Sequence, residues 1–486
     1  MSSLAAAPAA VSAPTFGWDT VFAVSVDRVN RAISQRKTSP KSLTYVSGHP
    51  NGFQMTADFG DWSVIPEGDG PIVRMALPMT NISGSYRFKG QTYFFTCADA
   101  LGVIEIKLNL LPHDGKTVLT DSNGKPLPAP ATGTTRHTLT ARSDSTDPND
   151  PVATFVAIDF RKPLSLPGAK LGVESGFQDW CNANLGDFAH VFAVMDLNDK
   201  IATGKWAFCK PHTMDYAIVD SADNSKSYLG LLCMTSNDTV PGTAQLSDNA
   251  VPAGCESGFL ISPRRLLADL LIPSMAAVWP KLNTADLEIA SNDRMLQLKP
   301  AKTVELPVFR DSSGDSYMPV LTMFTIEIMG DQMKVDTHVE TEVSPGIYGT
   351  CTATYWYRLG LGKTSAGEPA LTWSEAQPAQ KQTGSRSDPG IAILKGIMSA
   401  LGAILALLAL VLDPPIALIV GAVVCGIAIG EFEINNIQES AKGDAPGLDD
   451  LTANFTAPVV WTDTADYGLQ SAGLSGSLQM GGVWNT

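Results

Sequence analysis

Residue types that do chemistry are present in this chain, but their spacing does not assemble them into a reactive motif. The stretch LGLGKTS (359–365) carries the Gly-Lys-Thr of a phosphate-cradling loop. The full pattern needs a glycine at position 357, which is Tyr357, and polar sequence containing Gly and Pro follows instead of a helix. GCESG (254–258) places its serine one position too late for the Gly-x-Ser-x-Gly turn that exposes a nucleophile. The histidines at 49, 113, 137, 190, 212 and 338 show no paired ligand spacing, and His338 reads as the wet face of a strand. The acidic run DSTDPND (144–150) lacks the glycine and bidentate glutamate of a calcium loop and reads as a solvated loop. No catalytic residue, metal site or cofactor is expected.

Seven cysteines (97, 181, 209, 233, 255, 351 and 425) are odd in number, widely spaced and form no Cys-x-x-Cys pair, so they read as reduced core thiols. The net charge of −15 argues against a nucleic-acid partner, because phosphate binding needs a basic face. The opening MSSLAAAPAAVSAPTFG lacks the basic start and apolar core of a secretory signal. The expected location is cytoplasmic, or outside the cell after release without a signal peptide.

The 486 residues exceed one ordinary core, and 42 glycines with 32 prolines suit a strand-rich fold with many turns. In VFAVSVDRVNRAI (21–33) a short strand ends at Ser25, a helix-capping residue, and Val26, Val29 and Ile33 then share a helical face. GFLISPRRLLADL (258–270) matches it: Phe259, Ile261, Ser262, Arg265, Leu266 and Leu270 follow Phe22, Val24, Ser25, Arg28, Val29 and Ile33 by 237 positions. Ser262 caps, Pro263 takes the first helical position, and the helix is expected to reach about Trp279 with a bend at Pro273. Two matching strand-cap-helix starts predict a duplicated module.

Strands follow each helix. Ile104, Ile106, Leu108 and Leu110 alternate on one face. Phe324, Ile326 and Ile328 lead to a Gly330-Asp331 turn, and the return run puts Met333, Val335, Thr337, Val339, Thr341 and Val343 on its dry side. Residues 346–360 fit a third neighbouring strand. Long strands dry on one side must curve over something apolar, and the preceding helix is the available filling. Residues 113–137 and 365–390 read as polar loops or insertions.

The run from Ile391 to Leu412 holds 22 residues with Lys395 as its only charge, roughly 33 Å of helix. Asp413-Pro414-Pro415 breaks it, and Ile416 to Gly430 adds a second uncharged arm. Three readings stand: a buried helical pair, a lipid-contacting surface, or a transmembrane hairpin, the last lacking basic flanks.

The start TFGWDTVFAVSVDRVNRAI (15–33), with its Gly17-Trp18-Asp19 element, resembles the forty-seven-kilodalton and OrfX proteins encoded with OrfX-type botulinum neurotoxins. FLISPRRLLADLLIPSM (259–275) and LSGSLQMGG (474–482) add to the likeness, which spans about residues 15–486. The resemblance implies an α+β fold of tandem TULIP-like modules, each a long helix wrapped by a highly curved antiparallel sheet. The expected division is a flexible lead-in (1–14), an N-terminal module (15–245) and a C-terminal module (246–486) containing the apolar helical hairpin (391–430). It also implies a non-enzymatic accessory role in a toxin-type gene cluster. The partners would be lipid, with phosphoinositides suggested for relatives, a membrane surface, or other cluster proteins. The expected lipid-binding residues are Val26, Val29, Ile33, Leu266, Leu270, Leu271, Ile404, Leu407, Leu408, Ile416 and Ile419. The alternatives are an interaction protein whose groove is filled by its own side chains, and a membrane-inserting toxin component.

Overall fold

The computed structural model describes residues 12–48, 52–112, 118–119, 126, 129, 135–141, 151–185, 191–197, 207–221, 225–236, 238–273, 275, 279, 281–311, 314–363, 369–389, 404–405, 459–461 and 467–484. Among them strands dominate. One antiparallel sheet has thirteen strands, a second has nine, and Phe309–Arg310 pairs with Ser316–Tyr317 in a small ribbon. Helix is a minor part, so the α+β expectation is corrected to a mostly β fold of curled antiparallel sheets.

The nine-stranded sheet is built on one long hairpin, Ile72–Phe88 against Gln91–Pro112. Lys89 and Gly90 turn it with φ of +49° and +82°, the left-handed pair that matches the right-handed twist of the strands. Ile104, Ile106 and Leu108 are buried as their alternation predicted. The concave side is filled by the helix Lys170–Ala183, which the sequence reading did not foresee. Its Phe177 is fully buried against Gly102, where a Cβ would lie 2.6 Å from the ring Cζ. Gly172 and Gly176 let Phe53 and Tyr45 approach the helix backbone.

The hairpin Val320–Met329 and Gln332–Ser344 forms as expected, with Gly330 at φ +60° and Phe324, Ile326, Ile328, Met333, Val335, Thr337 and Val339 buried. Ile347–Lys363 is the third strand. The expected loop at 365–390 is instead largely a strand, Pro369–Ser387, paired along Ile347–Lys363. From Ser374 onward its residues are exposed or half-buried, so it carries no wet/dry alternation to give it away.

The opening helix, Val26–Arg36, has 11 residues and is short for the expected long rod. Its N-terminus lies at Ser25 as predicted, yet the Ser25 side chain makes no capping bond. Ser262 does cap: its Oγ accepts from the Arg265 N–H at 3.3 Å. Just upstream of Pro273 the helix widens into a π turn, Leu266–Leu271, where the Ile272 N–H donates to the Leu267 carbonyl. Pro273 offers no N–H and crowds the carbonyl four residues back, which a wider turn ahead of it relieves. Trp279 packs edge-on against Phe324, ring centroids 5.0 Å apart, and is not helical.

At the centre, Thr20–Ser25 pairs antiparallel with Ser257–Ile261, flanked by Ser227–Met234 on one side and Leu478–Trp484 on the other. Of the 391–430 stretch only Ile404 and Leu405 are described; Ile404 is fully buried, and Leu405 lies against Gly349. The helical hairpin expected there, with Leu407, Leu408, Ile416 and Ile419, lies outside the described residues. Among the described residues no helix is long and apolar enough to cross a membrane.

Candidate functional site

A cleft of about 460 Å³ opens where the strand Thr20–Ser25 meets the helix entrance capped by Ser262. The tight turn at Phe16 (φ +51°) and Gly17 (φ +90°) builds one wall. It turns Trp18 inward, fully buried among Val21, Leu232, Met234 and Leu260, with its Nε1 donating to the Thr243 carbonyl at 3.3 Å. Asp19 is 3% exposed, and its Oδ2 accepts from the Thr235 N–H at 2.8 Å, the Thr235 hydroxyl at 3.0 Å and the Ser236 hydroxyl at 3.3 Å. Three donors stabilise that buried carboxylate. The Asp19 carbonyl accepts from the Ser262 N–H at 2.8 Å. The Gly17-Trp18-Asp19 element is thus a clasp that fastens the chain's start to the second helix entrance.

The opposite wall is charged. Arg264 stands 3.5 Å from Asp238 and 4.0 Å from Asp293, with its side chain half exposed. Water screens such pairs, so they hold Arg264 only loosely. Arg294 also lines the cleft, and the buried Ser477 hydroxyl beside it has no hydrogen-bond partner among the described residues. Deeper, Asp269 lies 3.0 Å from Arg265. Burial pushes the Asp269 carboxyl up, and the Arg265 charge partly offsets this. Cys209, beyond it, is also pushed well up by burial. The cleft pairs two guanidinium groups with two exposed carboxylates and one orphan hydroxyl, chemistry suited to holding a small mixed-charge group. The Ser262 hydroxyl accepts the capping bond from the Arg265 N–H.

The residues expected to bind lipid lie elsewhere. Val26 (4% exposed), Val29 (5%), Ile33 (1%), Leu266 (0%), Leu270 (6%) and Leu271 (0%) all belong to one continuous core cluster. Beside Ile33 there is a void of about 20 Å³, bounded by Trp62, Met75 and Phe192, space for about one water. Both helix faces are covered by the chain's own side chains. The sequence marked Gly17, Trp18 and Asp19 as an element shared with a family and Ser262 as a helix cap, and named no cleft; Arg264, Arg294 and Ser477 were not singled out. Ser477 is brought to Arg264 by strand pairing across more than two hundred residues, and nothing local marks these three as neighbours.

The family model described as OrfX-like, Protein OrfX2/OrfX3/P47, matches residues 15–482. A protein OrfX3 of Paraclostridium bifermentans is 29% identical, over 96% of this chain and 98% of its own length. A protein OrfX3 of Clostridium botulinum (strain Kyoto / Type A2) is 27% identical over the same shares, 96% and 98%. Among solved structures, P47 from Clostridium botulinum A2 superposes with a TM-score of 0.61 at 13% identity, covering 97% of this chain and 98% of that one. P47 of Clostridium botulinum E1 gives 0.59 at 15% identity, covering 96% and 99%. At these identities the two structures speak for the fold alone.

Proposed function

The chain belongs to the OrfX-like family, and we propose that it is a non-enzymatic accessory component of a toxin-type gene cluster that acts from its outer surface. In this reading the interior is filled by the chain's own side chains, and partner proteins of the cluster are met from outside. One observation carries it: the two helix faces that would line a lipid groove are 0–6% exposed and packed into the core. Burying those six side chains against the sheets contributes to stability, at roughly 25 cal/mol per Å² of apolar area, so displacing them for a lipid tail would be costly. We further propose that the chain is organised as tandem modules over 15–245 and 246–486.

The competing reading, a lipid carrier, is favoured by the apolar run around residues 400–423, whose one charged residue is Asp413 and where Ile404 is already buried. Native mass spectrometry of the full chain separates the two. After lipid extraction and incubation with phospholipid vesicles, the expected mass is that of the polypeptide alone. A retained stoichiometric phospholipid would overturn the filled-interior reading.

A further inference from the structure

The cleft beside the Gly17-Trp18-Asp19 clasp is lined by charges that cancel. Arg264 and Arg294 share it with Asp238 and Asp293, while the Asp19 carboxylate is taken by Thr235 and Ser236. Opposite signs alternate at short range, with Arg264 3.5 Å from Asp238 and 4.0 Å from Asp293. These three side chains are about half exposed, so water already weakens their pairing and exchanging it for contacts to a ligand costs little.

Two groups keep unused hydrogen-bonding capacity. Ser477 is 0% exposed and borders the cleft, yet its Oγ has no hydrogen-bond partner among the described residues. A buried hydroxyl left unpaired is costly, so one that borders a cavity points to a partner inside it. Arg294 has no ion-pair partner among the described residues. Its guanidinium lies near the same place, since a Cβ at Gly476 would stand 3.7 Å from Arg294 Nη2. The backbone beneath it is fixed: the Arg294 N–H donates to Asn292 Oδ1 at 3.1 Å, and its carbonyl accepts from the Ile328 N–H at 2.9 Å. Phe16, 42% exposed, adds an aromatic wall.

We propose that this cleft binds a free α-amino acid with an apolar side chain. The ligand carboxylate accepts from Arg294 and the Ser477 hydroxyl, and the ammonium on the same carbon donates to Asp238 and Asp293. With two cations and two anions in the lining, a neutral zwitterion leaves no charge uncompensated, whereas a lone anion or cation does. In a peptide the two terminal charges stand a chain length apart and do not match this alternation. The volume, about 460 Å³, falls within the roughly 300–1,000 Å³ of small-molecule sites, and Phe16 receives the apolar side chain. Because the lining comes from positions 16, 238, 264, 294 and 477, a bound amino acid stabilises the junction of these segments. The inference is independent of how the core is filled.

The test is isothermal titration of the full chain with L-phenylalanine and L-leucine, against N-acetyl-L-phenylalanine, L-phenylalaninamide and sodium phosphate. The expected result is saturable one-to-one binding of the amino acids, about tenfold or more weaker for either blocked analogue, and no competition by phosphate. Arg294→Gln and Ser477→Ala should each weaken binding by about tenfold. Ser477→Ala should also leave the unliganded melting temperature unchanged or higher, because the lost hydroxyl had no partner, while abolishing most of the rise that L-phenylalanine gives the wild type. A purely structural role for Ser477 would do the reverse. Should Arg294→Gln misfold by circular dichroism, Ser477→Ala decides. Arg358→Gln, whose partner Asp331 lies elsewhere, should bind as the wild type does. No saturable binding of either amino acid, equal affinity for the blocked analogues, or wild-type affinity in Ser477→Ala would overturn the proposal.

Discussion

Phe22 and Phe259 are direct partners in adjacent antiparallel strands, with ring centroids 4.6 Å apart. They are also the equivalent positions of the two matching sequence stretches, so the phenylalanine of one stretch packs on that of the other. The relation extends outward from the pair. The Ser25 N–H donates to the Glu256 carbonyl and the Ser262 N–H to the Asp19 carbonyl, both at 2.8 Å and both related by the same offset. Arg28 lies 5.7 Å from the Trp484 ring and its counterpart Arg265 lies 6.0 Å from Phe208. The strand order is symmetric about this point, with Ser227–Met234 and Leu478–Trp484 as equivalent flanks.

Removing either ring should therefore cost more than its area alone. Phe22→Ala and Phe259→Ala are each expected to destabilise by about 3–5 kcal/mol. The double variant should fall short of their sum by about 0.5–1.5 kcal/mol, the aromatic coupling. Urea unfolding of the four proteins measures this; strict additivity would mean the rings do not support one another.

The two cap serines should differ despite their equivalent places. Ser262 accepts a hydrogen bond from the Arg265 N–H, so Ser262→Ala is expected to lose about 1 kcal/mol. Ser25 makes no capping bond, and Ser25→Ala should change stability by only a few tenths. Denaturant midpoints compared side by side decide it, and equal losses would contradict the geometry.

The sequence carried this much because strand and cap signals are local. Phe324, Ile326 and Ile328 alternate around Gly330, and Pro263 follows Ser262; neither depends on distant residues. The helix Lys170–Ala183 escaped because Gly172 and Gly176 lower helix propensity while serving close packing with Phe53 and Tyr45. The strand Pro369–Ser387 escaped because both its faces are largely wet. Val29 and Leu266 were rightly assigned to apolar helix faces, but the same periodicity describes a lipid-lined groove and a filled core. Only the packing partners separate the two.

Close backbone approach makes one glycine irreplaceable. A Cβ at Gly258 would stand 2.0 Å from the Ala250 carbonyl oxygen, a backbone atom that cannot swing aside. Gly258→Ala is expected to cost about 3 kcal/mol or more, by forcing the central strand from its neighbours. At Gly242 nothing lies within 4 Å of the added carbon, so Gly242→Ala should be neutral within about 0.5 kcal/mol. Thermal melting of both variants provides the comparison.

On the wet face of the C-terminal sheet, Arg386 donates to Glu340 through Nε at 3.0 Å and Nη2 at 2.6 Å, while His338 reaches the same carboxylate at 3.4 Å. The Arg386 hydrogen bonds hold the Glu340 carboxyl below its ordinary value, against a smaller opposing effect of burial. A carboxylate whose folded pKa is depressed stabilises fully above the unfolded value, about 4.3, and loses that contribution as pH falls through the folded one. Arg386 is 46% exposed, so the pair is worth at most about 1 kcal/mol after screening. Glu340→Gln should leave a flatter stability profile on the acid side of that window and a small loss at neutral pH. Unfolding free energies measured from neutral to acid pH, wild type against variant, test it. A profile as steep in the variant as in the wild type would place the acid sensitivity on other carboxylates.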